Sequence, residues 1–505
     1  LKQTKIYGAP GTGKTTRMLD LLSKEIESGT PVDRIAFLTH TVAARREALD
    51  RASSFARPDD LKYFRTIHGI CYAQIGLRRD NVMQSDDYLA FGDQFGIKFS
   101  ENFTRDVDQD GIPFGYAHSP GNEILAIRQL AAAKMCSIRD VALEWPDGVD
   151  TNTMRETLEG FRKWKEFNAK FDFVDMLQMY QRMGDPIDVD AVFLDEAQDL
   201  SLQQWAIFVK MIAKAKRVYV AGDDDQSIYA FIGADPYGFL DYKTDSSEIL
   251  PKTWRLKDKV WDYAQRIITQ VHKRQAKQIH TNGPGGQIEF FNTDIRHIPL
   301  DPDVSTMFIS RHNSQLNDFA DELRERGIPF DGRGWTPYGT KQATAVRAFL
   351  ALRAGKPIGL KDAASVLDLR KFKDRAKALR NRARAEASAT VAELEGIDLQ
   401  EDWVQYLAKS PADVKHNETI REILRAVGWK GVLEPPKVSL TTYHGCKGRE
   451  ADHVILMTDC YRKAYDHARL YPDDERRLSY VGVTRARHRL TIMMPQTEMW
   501  MRSLI

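Results

Sequence analysis

Cysteine is scarce in this chain. Four in 505 residues (Cys71, Cys136, Cys446 and Cys460) lie far apart and show no metal-ligand spacing, so reduced thiols in a cytoplasmic protein are expected. No apolar run approaches bilayer-spanning length and nothing at the start reads as a signal peptide, so no membrane is expected among the partners. No charge of one sign dominates: 73 basic and 71 acidic residues leave a net charge of +2, which neither demands nor excludes nucleic acid. Internal repeats, a low-complexity tail and a nuclease constellation are also missing. The chain opens on Leu1 rather than Met, so a few preceding residues are expected.

What is present describes an ordinary globular protein, with 42% hydrophobic and 29% charged residues. The length is too great for one core and predicts three or four structural units. Local charge says more than the total. Arg370 to Arg384 carries eight basic residues against one acid, which alone reads as a solvated helix face rather than a stripe that tracks phosphates.

Near the start, Gln3–Tyr7 reads as a strand and Thr15–Ser28 as a helix with Leu19, Leu22 and Ile26 on one face. Between them lies Gly8-Ala9-Pro10-Gly11-Thr12-Gly13-Lys14-Thr15, followed by Thr16, in the pattern G-x-x-x-x-G-K-T. Glycines let backbone N–H groups point at phosphate oxygens, the helix N-terminus adds partial positive charge, and Lys14 can reach the β- and γ-phosphates. Thr15 supplies a hydroxyl for Mg²⁺. This predicts nucleotide binding, with ATP and Mg²⁺ as the cofactors.

A second apolar strand, Ala191–Leu194, delivers Asp195 and Glu196 to its carboxyl end, followed by Gln198 and Asp199. Asp195 can hold Mg²⁺ through water and Glu196 can polarise an attacking water. An Asp–Glu pair at a strand end is by itself usually a helix cap, but paired with the phosphate loop the catalytic reading prevails. A third strand, Arg217–Ala221, leads into Gly222-Asp-Asp-Asp-Gln226-Ser-Ile-Tyr229-Ala-Phe231. The Gln226 amide can bond a phosphate oxygen, and Tyr229 and Phe231 offer faces on which bases stack. Taken alone, that loop is as readily a strand end with two core aromatics. Arg255 and Arg485 stand far from Gly8 in sequence. Each is singly a surface ion-pair candidate, and both reach one phosphate only if it sits in a cleft between two lobes.

With these segments in order, the chain resembles the UvrD/Rep/PcrA group of superfamily 1 DNA helicases. The motifs that carry the likeness also include Thr39-His40-Thr41, Thr66-Ile67-His68, Asp172-Phe-Val-Asp175, Trp254-Arg255, Ser310-Arg-His-Asn313, Val438–Glu450 and Glu475–Arg487. The resemblance implies that Gln198 and Gln226 sense the γ-phosphate, that Arg255 and Arg485 are arginine fingers, that Trp254 stacks on adenine in place of the family's tyrosine, and that Glu450 bonds the ribose. It implies strand contacts by His40, His68, Tyr229, Phe231, Arg311, Asn313, His444 and Lys447. It also implies 3′ to 5′ movement on single-stranded DNA, with duplex–single-strand junctions and replication or repair proteins as partners, and a monomer or weak self-association. His40 replaces a phenylalanine, Ile232 an arginine, and Gln3 is the candidate for an adenine-reading glutamine that normally lies further upstream.

The fold class expected from these motifs is α/β: two RecA-like parallel-sheet lobes, each with a mostly helical insertion. The first lobe would span 1–72 and 172–250, with an insertion at 73–171. The second would span 251–354 and 437–505, with an insertion at 355–436 that is shorter than in the best-known relatives. A single-strand translocase that displaces bound proteins, and a nucleotide-switched recruitment factor, are the rival readings.

Overall fold

The computed structural model describes residues 1–39, 49, 61–99, 119–145, 148–292, 298–301, 303–332, 341–369, 371–385, 390–392, 394–400, 425, 428 and 433–505. The chain forms two compact units, Leu1–Gly286 with Tyr465–Thr484, and Gln287–Ala464 with Arg485–Ile505.

The first unit is built on six parallel strands: β1 (Lys2–Tyr7), β2 (Ile35–Leu38), β3 (Phe64–Arg65), β4 (Ala191–Leu194), β5 (Arg217–Gly222) and β6 (Ser246–Ile249). Their spatial order is β3-β2-β4-β5-β1-β6. β2 (IAFL) and β4 (AVFL) are buried along their whole length, as continuous apolar runs must be when helices cover both faces of a parallel sheet. Register then aligns aromatics across the sheet. Phe37 stacks on Phe64 and on Phe193 at 5.9 Å each, and Phe193 stacks on Tyr219 at 4.8 Å. Helix α1 (Lys14–Glu27) covers that face with Met18, Leu19 and Leu22.

The insertion in this unit is helical where described. Besides Ser85–Phe95 and Ile138–Leu143 it contains α3 (Pro120–Lys134) and α4 (Thr151–Phe167), between α2 (Ile67–Ile75) and α5 (Phe173–Met183). Asp172 opens α5 with a capping box: its side chain accepts from the Asp175 N–H, and Asp175 answers from the third position. The same carboxylates anchor the insertion. Arg128 of α3 reaches Asp172 at 2.6 Å and Asp175 at 2.7 Å, and Lys165 of α4 pairs with both. Burial works against the Asp172 carboxylate, but Arg128 and Lys165 outweigh it and hold its pKa well below the ordinary value.

The second unit has its own six-stranded parallel sheet in the order β7-β14-β13-β8-β12-β9. These strands are β7 (Gln287–Phe291), β8 (Thr306–Ser310), β9 (Phe330–Asp331), β12 (Val438–Thr442), β13 (Ala451–Leu456) and β14 (Ala486–Met493). A small antiparallel pair, β10 (Ile358–Gly359) with β11 (Thr390–Val391), accompanies the helices Lys341–Arg353, Leu360–Leu369 and Lys373–Ala385.

Two parallel-sheet α/β lobes were expected and are observed. By its contacts Pro251–Gly286 groups with the first unit, as does α6 (Pro472–Val483). The reason lies in contacts that no local pattern announces. The helix Asp258–Ile268 packs on α6, and the chain after it supplies cations to the end of β5.

Candidate active site

In the first sheet β4, β5 and β1 are neighbours, so three predicted segments leave at adjacent carboxyl ends. Tyr7 is in register with Gly222, and the Gly8 N–H donates to the Gly222 carbonyl at 3.2 Å. The phosphate loop therefore rises beside the Asp223 turn.

That loop has the shape of an anion cradle. Gly11 and Gly13 take φ of +73° and +81°, the left-handed region where glycine alone is unstrained. A Cβ on Gly8 would fall 2.4 Å from Thr12 Oγ1 and 2.6 Å from Lys14 Cγ, so the loop closes tightly over a bare backbone. No side chain caps α1, which leaves its first N–H groups available to an anion. Thr12 Oγ1 donates to the Ala9 carbonyl at 2.8 Å, and Lys14 Nζ donates to the Gly8 carbonyl at 2.9 Å. Thr16 is exposed on the first turn.

Thr15 Oγ1 donates to Asp195 Oδ2 at 2.8 Å, pairing the two oxygens predicted to hold Mg²⁺. Hydroxyl and carboxylate oxygen are the hard donors this ion prefers, so the residues fit it. Asp195 is fully buried, and burial together with the neighbouring Glu196 pushes its pKa up to about 6. A divalent cation would relieve that destabilised charge. Glu196 itself sits at φ 54°, ψ 40°, a left-handed conformation that costs a non-glycine residue about 1–3 kcal/mol and recurs at functional sites.

From Glu196 a hydrogen-bond path crosses to β5. Gln198 Nε2 donates to Glu196 Oε2 at 2.6 Å, and Gln198 Oε1 accepts the Asp223 N–H at 2.9 Å. Gln226 Nε2 then donates to Asp223 Oδ2 at 2.7 Å, and Ser227 Oγ returns to the Gln198 carbonyl at 2.9 Å. Both predicted glutamines thus meet on Asp223. Three residues on, the rings of Tyr229 and Phe231 are half-buried, 6.4 Å apart and tilted by 50°. Gly233, at φ +99°, lets the loop touch α3: a Cβ there would lie 2.4 Å from that of Ala133. His68 packs edge-on to Phe173 at 5.7 Å and shares with Ile232, the residue in the arginine position, a pocket lined by both apolar and polar side chains.

Arg255 joins the phosphate loop through its backbone neighbours. The Trp254 N–H donates to the Gly11 carbonyl at 2.9 Å and Thr253 Oγ1 to the Pro10 carbonyl at 2.7 Å, while Arg255 Nη1 donates to the Thr484 carbonyl at 3.3 Å. Trp254 is 64% exposed, an open aromatic face beside the loop, with Lys252 Nζ 4.0 Å from its ring centroid. Gln3 is the second residue of β1, roughly 16 Å from Gly8 at the usual strand rise. Its amide oxygen accepts from Tyr242, so the structure does not bring it to the loop.

Two cations that matter here carry no signal in the sequence. Lys277 Nζ lies 2.9, 2.7 and 2.8 Å from Asp223, Asp224 and Asp225, and Arg274 pairs with Asp225 at 2.6 Å. The three carboxylates converge as metal ligands would, but the ammonium group stands at their centre. Burial opposes both the Asp223 carboxylate and the Lys277 ammonium. Lys277 and Lys14 outweigh it for Asp223, lowering its pKa, and the carboxylates outweigh it for Lys277, raising its pKa. Burial and its acidic neighbours prevail at Asp224, whose pKa rises. A lysine in the short polar run before β7 has no periodicity to mark it.

The remaining predicted residues lie in the second unit, His40 excepted, which is outside the described residues. Arg311 and Asn313 follow β8, and between them His312 stacks on Tyr461 at 4.3 Å. His444 and Lys447 occupy the tight turn after β12, which closes at Gly448 with φ +78°. Arg485 is 1% exposed and donates to the Arg449 carbonyl at 3.2 Å. Glu450 is paired with Arg487.

Comparison with known proteins agrees with this geometry. The UvrD/REP helicase N-terminal domain model matches residues 1–247, and the UvrD-like helicase C-terminal domain model matches residues 437–493. The chain is 21% identical over 382 residues to the ATP-dependent DNA helicase PcrA of Leuconostoc citreum, covering 69% of this chain and 50% of that protein. It is 23% identical over 314 residues to the PcrA of Bacillus subtilis strain 168, covering 57% of this chain and 40% of that protein. It is also 22% identical over 292 residues to the putative helicase YjcD of the same strain, covering 54% and 37%. The matched regions span half or less of these relatives' length. With two family models matched in order, on a fold of two parallel-sheet lobes, the chain belongs to the UvrD/Rep helicase family.

Proposed function

We propose that the protein is an ATP-dependent DNA helicase or translocase that moves 3′ to 5′ on single-stranded DNA and opens duplexes at their junctions with single strands. The observation that carries this reading is the continuous path Glu196–Gln198–Asp223–Gln226. It runs from the carboxylate suited to activate water to the loop that presents Tyr229 and Phe231. A site meant only to hold a nucleotide has no need of that connection.

In this proposal Gly8–Thr16 and Lys14 bind the phosphates and Trp254 stacks on the base. Thr15 and Asp195 would hold Mg²⁺, which neutralises charge on the transferred phosphoryl group. Glu196 orients the attacking water and takes up its proton, while Gln198 holds the carboxylate that does so. Gln226 and Arg255 respond to the γ-phosphate, and Arg485 keeps the arginine-finger role that the family implies. Glu450 would bond the ribose. Loss of the γ-phosphate changes what Gln226 can bond, and the chain transmits that change to Tyr229 and Phe231 three and five residues later. His68, Arg311, Asn313, His444 and Lys447 are proposed to hold the strand with them.

Duplexes carrying a 3′ or a 5′ single-stranded tail test polarity and strand opening together. ATP-dependent unwinding of the 3′-tailed substrate alone is expected. Unwinding of the 5′-tailed substrate refutes the polarity. Unwinding of neither, with DNA-stimulated ATPase intact, supports the translocase that displaces proteins without opening duplexes.

A further inference from the structure

The segment between the helix Asp258–Ile268 and β7 sends two cations into the turn on which both glutamines meet. Lys277 contacts all three carboxylates with its side chain 1% exposed. Arg274 grips Asp225 with Nε at 2.8 Å and Nη2 at 2.6 Å, and the Gln275 N–H donates to Asp224 at 2.8 Å. A buried array of this kind is a costly way to end a strand, because apolar packing would avoid the desolvation of five charges.

What the charges supply is direction. Lys277 occupies the Oδ1 side of Asp223, and Oδ2 receives Gln226 Nε2 at 2.7 Å. The fixed turn presents the Asp223 N–H to Gln198, whose other end holds Glu196. The same strap grips α6: the His272 N–H donates to Asp473 at 3.1 Å, and Arg477 donates to the Lys273 carbonyl at 3.4 Å. Helix α6 ends at Val483, two residues before Arg485.

We propose that Lys277 and Arg274 are positioning residues for ATP hydrolysis, which set the Asp223 turn and through it the orientations of Gln226, Gln198 and Glu196. The proposal rests on the ATPase reading above. A mere staple would stabilise the unit without affecting turnover of bound nucleotide, and that difference is measurable.

Lys277→Met strands three buried carboxylates and can fail to fold. Arg274→Gln, at the edge of the cluster, is therefore the working variant. Affinity for a fluorescent ATP analogue, kcat for ATP with single-stranded DNA, and melting temperature are measured together. Affinity within about twofold of the unmodified protein and kcat lowered about tenfold are expected, the scale at which groups that orient a site's contacting residues act. Unchanged kcat with a lower melting temperature makes the cluster a staple and overturns the proposal, as does parallel loss of affinity and kcat. Should Arg274→Gln not fold, Arg274→Lys decides, since it keeps the charge and loses the two-nitrogen grip. A severalfold lower kcat at unchanged affinity supports positioning, and an unchanged kcat overturns it. Absence of ATP hydrolysis in the unmodified protein would instead refute the ATPase reading itself.

Discussion

Replacing Gly11 by alanine adds one methyl group where the phosphate loop meets the segment that carries Arg255. The backbone there has φ +73°, and the new carbon would lie 2.5 Å from Arg255 Cβ and 2.9 Å from Thr253 Oγ1. Gly13 provides an internal control. Its φ is +81°, but a Cβ would find nothing nearer than Thr16 Cβ at 3.8 Å. Left-handed backbone costs an L-residue about 1–2 kcal/mol, and both variants incur it. Only Gly11→Ala also forces apart two packed segments, a further cost of about 1–3 kcal/mol. Gly13→Ala should therefore lose about 1–2 kcal/mol and Gly11→Ala about 2–5 kcal/mol. For a unit of this size a kcal/mol is worth roughly 2 °C, so melting temperatures should fall by about 2–4 °C and about 4–10 °C respectively. Calorimetry without nucleotide separates these effects from any on ATP affinity. Equal losses, or a larger one for Gly13→Ala, would refute the contact between the phosphate loop and Arg255.

Lys14→Ala should abolish ATP hydrolysis, and near-normal turnover in that variant would remove the phosphate loop from the mechanism. Phe231→Ala should reduce DNA-stimulated ATPase and unwinding more than ATP affinity, whereas equal loss of all three returns the loop to scaffold. In the second unit His453 is buried against Thr491 at 2.8 Å, and burial, with Arg489 nearby, lowers its pKa from 6.5 to about 4 against the pull of Glu289. The unfolded chain takes up a proton below its ordinary pKa while the folded ring stays neutral. Its contribution is thus fully present above about pH 6.5 and is lost as pH falls towards 4. The shift corresponds to about 3 kcal/mol at most. Comparing stability from pH 7 to pH 4 for the unmodified protein and His453→Gln should show a shallower decline in the variant, and parallel curves would contradict the shift.

The phosphate loop was legible because its chemistry is local: a strand, glycines at left-handed positions and a helix N-terminus follow one another in the chain. The same holds for β4 and β5, whose apolar runs end on the residues they present. Lys277 and Arg274 were not legible. They answer carboxylates some fifty positions away, and ion pairing across such a separation leaves no period in the sequence. The grouping of Pro251–Gly286 with the first unit was not legible for the same reason. Gln3 bonds Tyr242 near the start of the strand that leads to the phosphate loop, a long-range partner that no local pattern marks. Ile232, in the arginine position, lines a pocket with Phe173 and Ala133, neighbours that its sequence context does not announce.

Steady-state ATP hydrolysis by the unmodified protein and by Glu196→Gln, with and without single-stranded DNA, decides whether Glu196 drives a DNA-coupled ATPase. DNA should raise the rate of the unmodified protein, and Glu196→Gln should bind ATP yet fail to turn it over in either condition. Full turnover in Glu196→Gln, or a rate indifferent to DNA in the unmodified protein, would contradict that role.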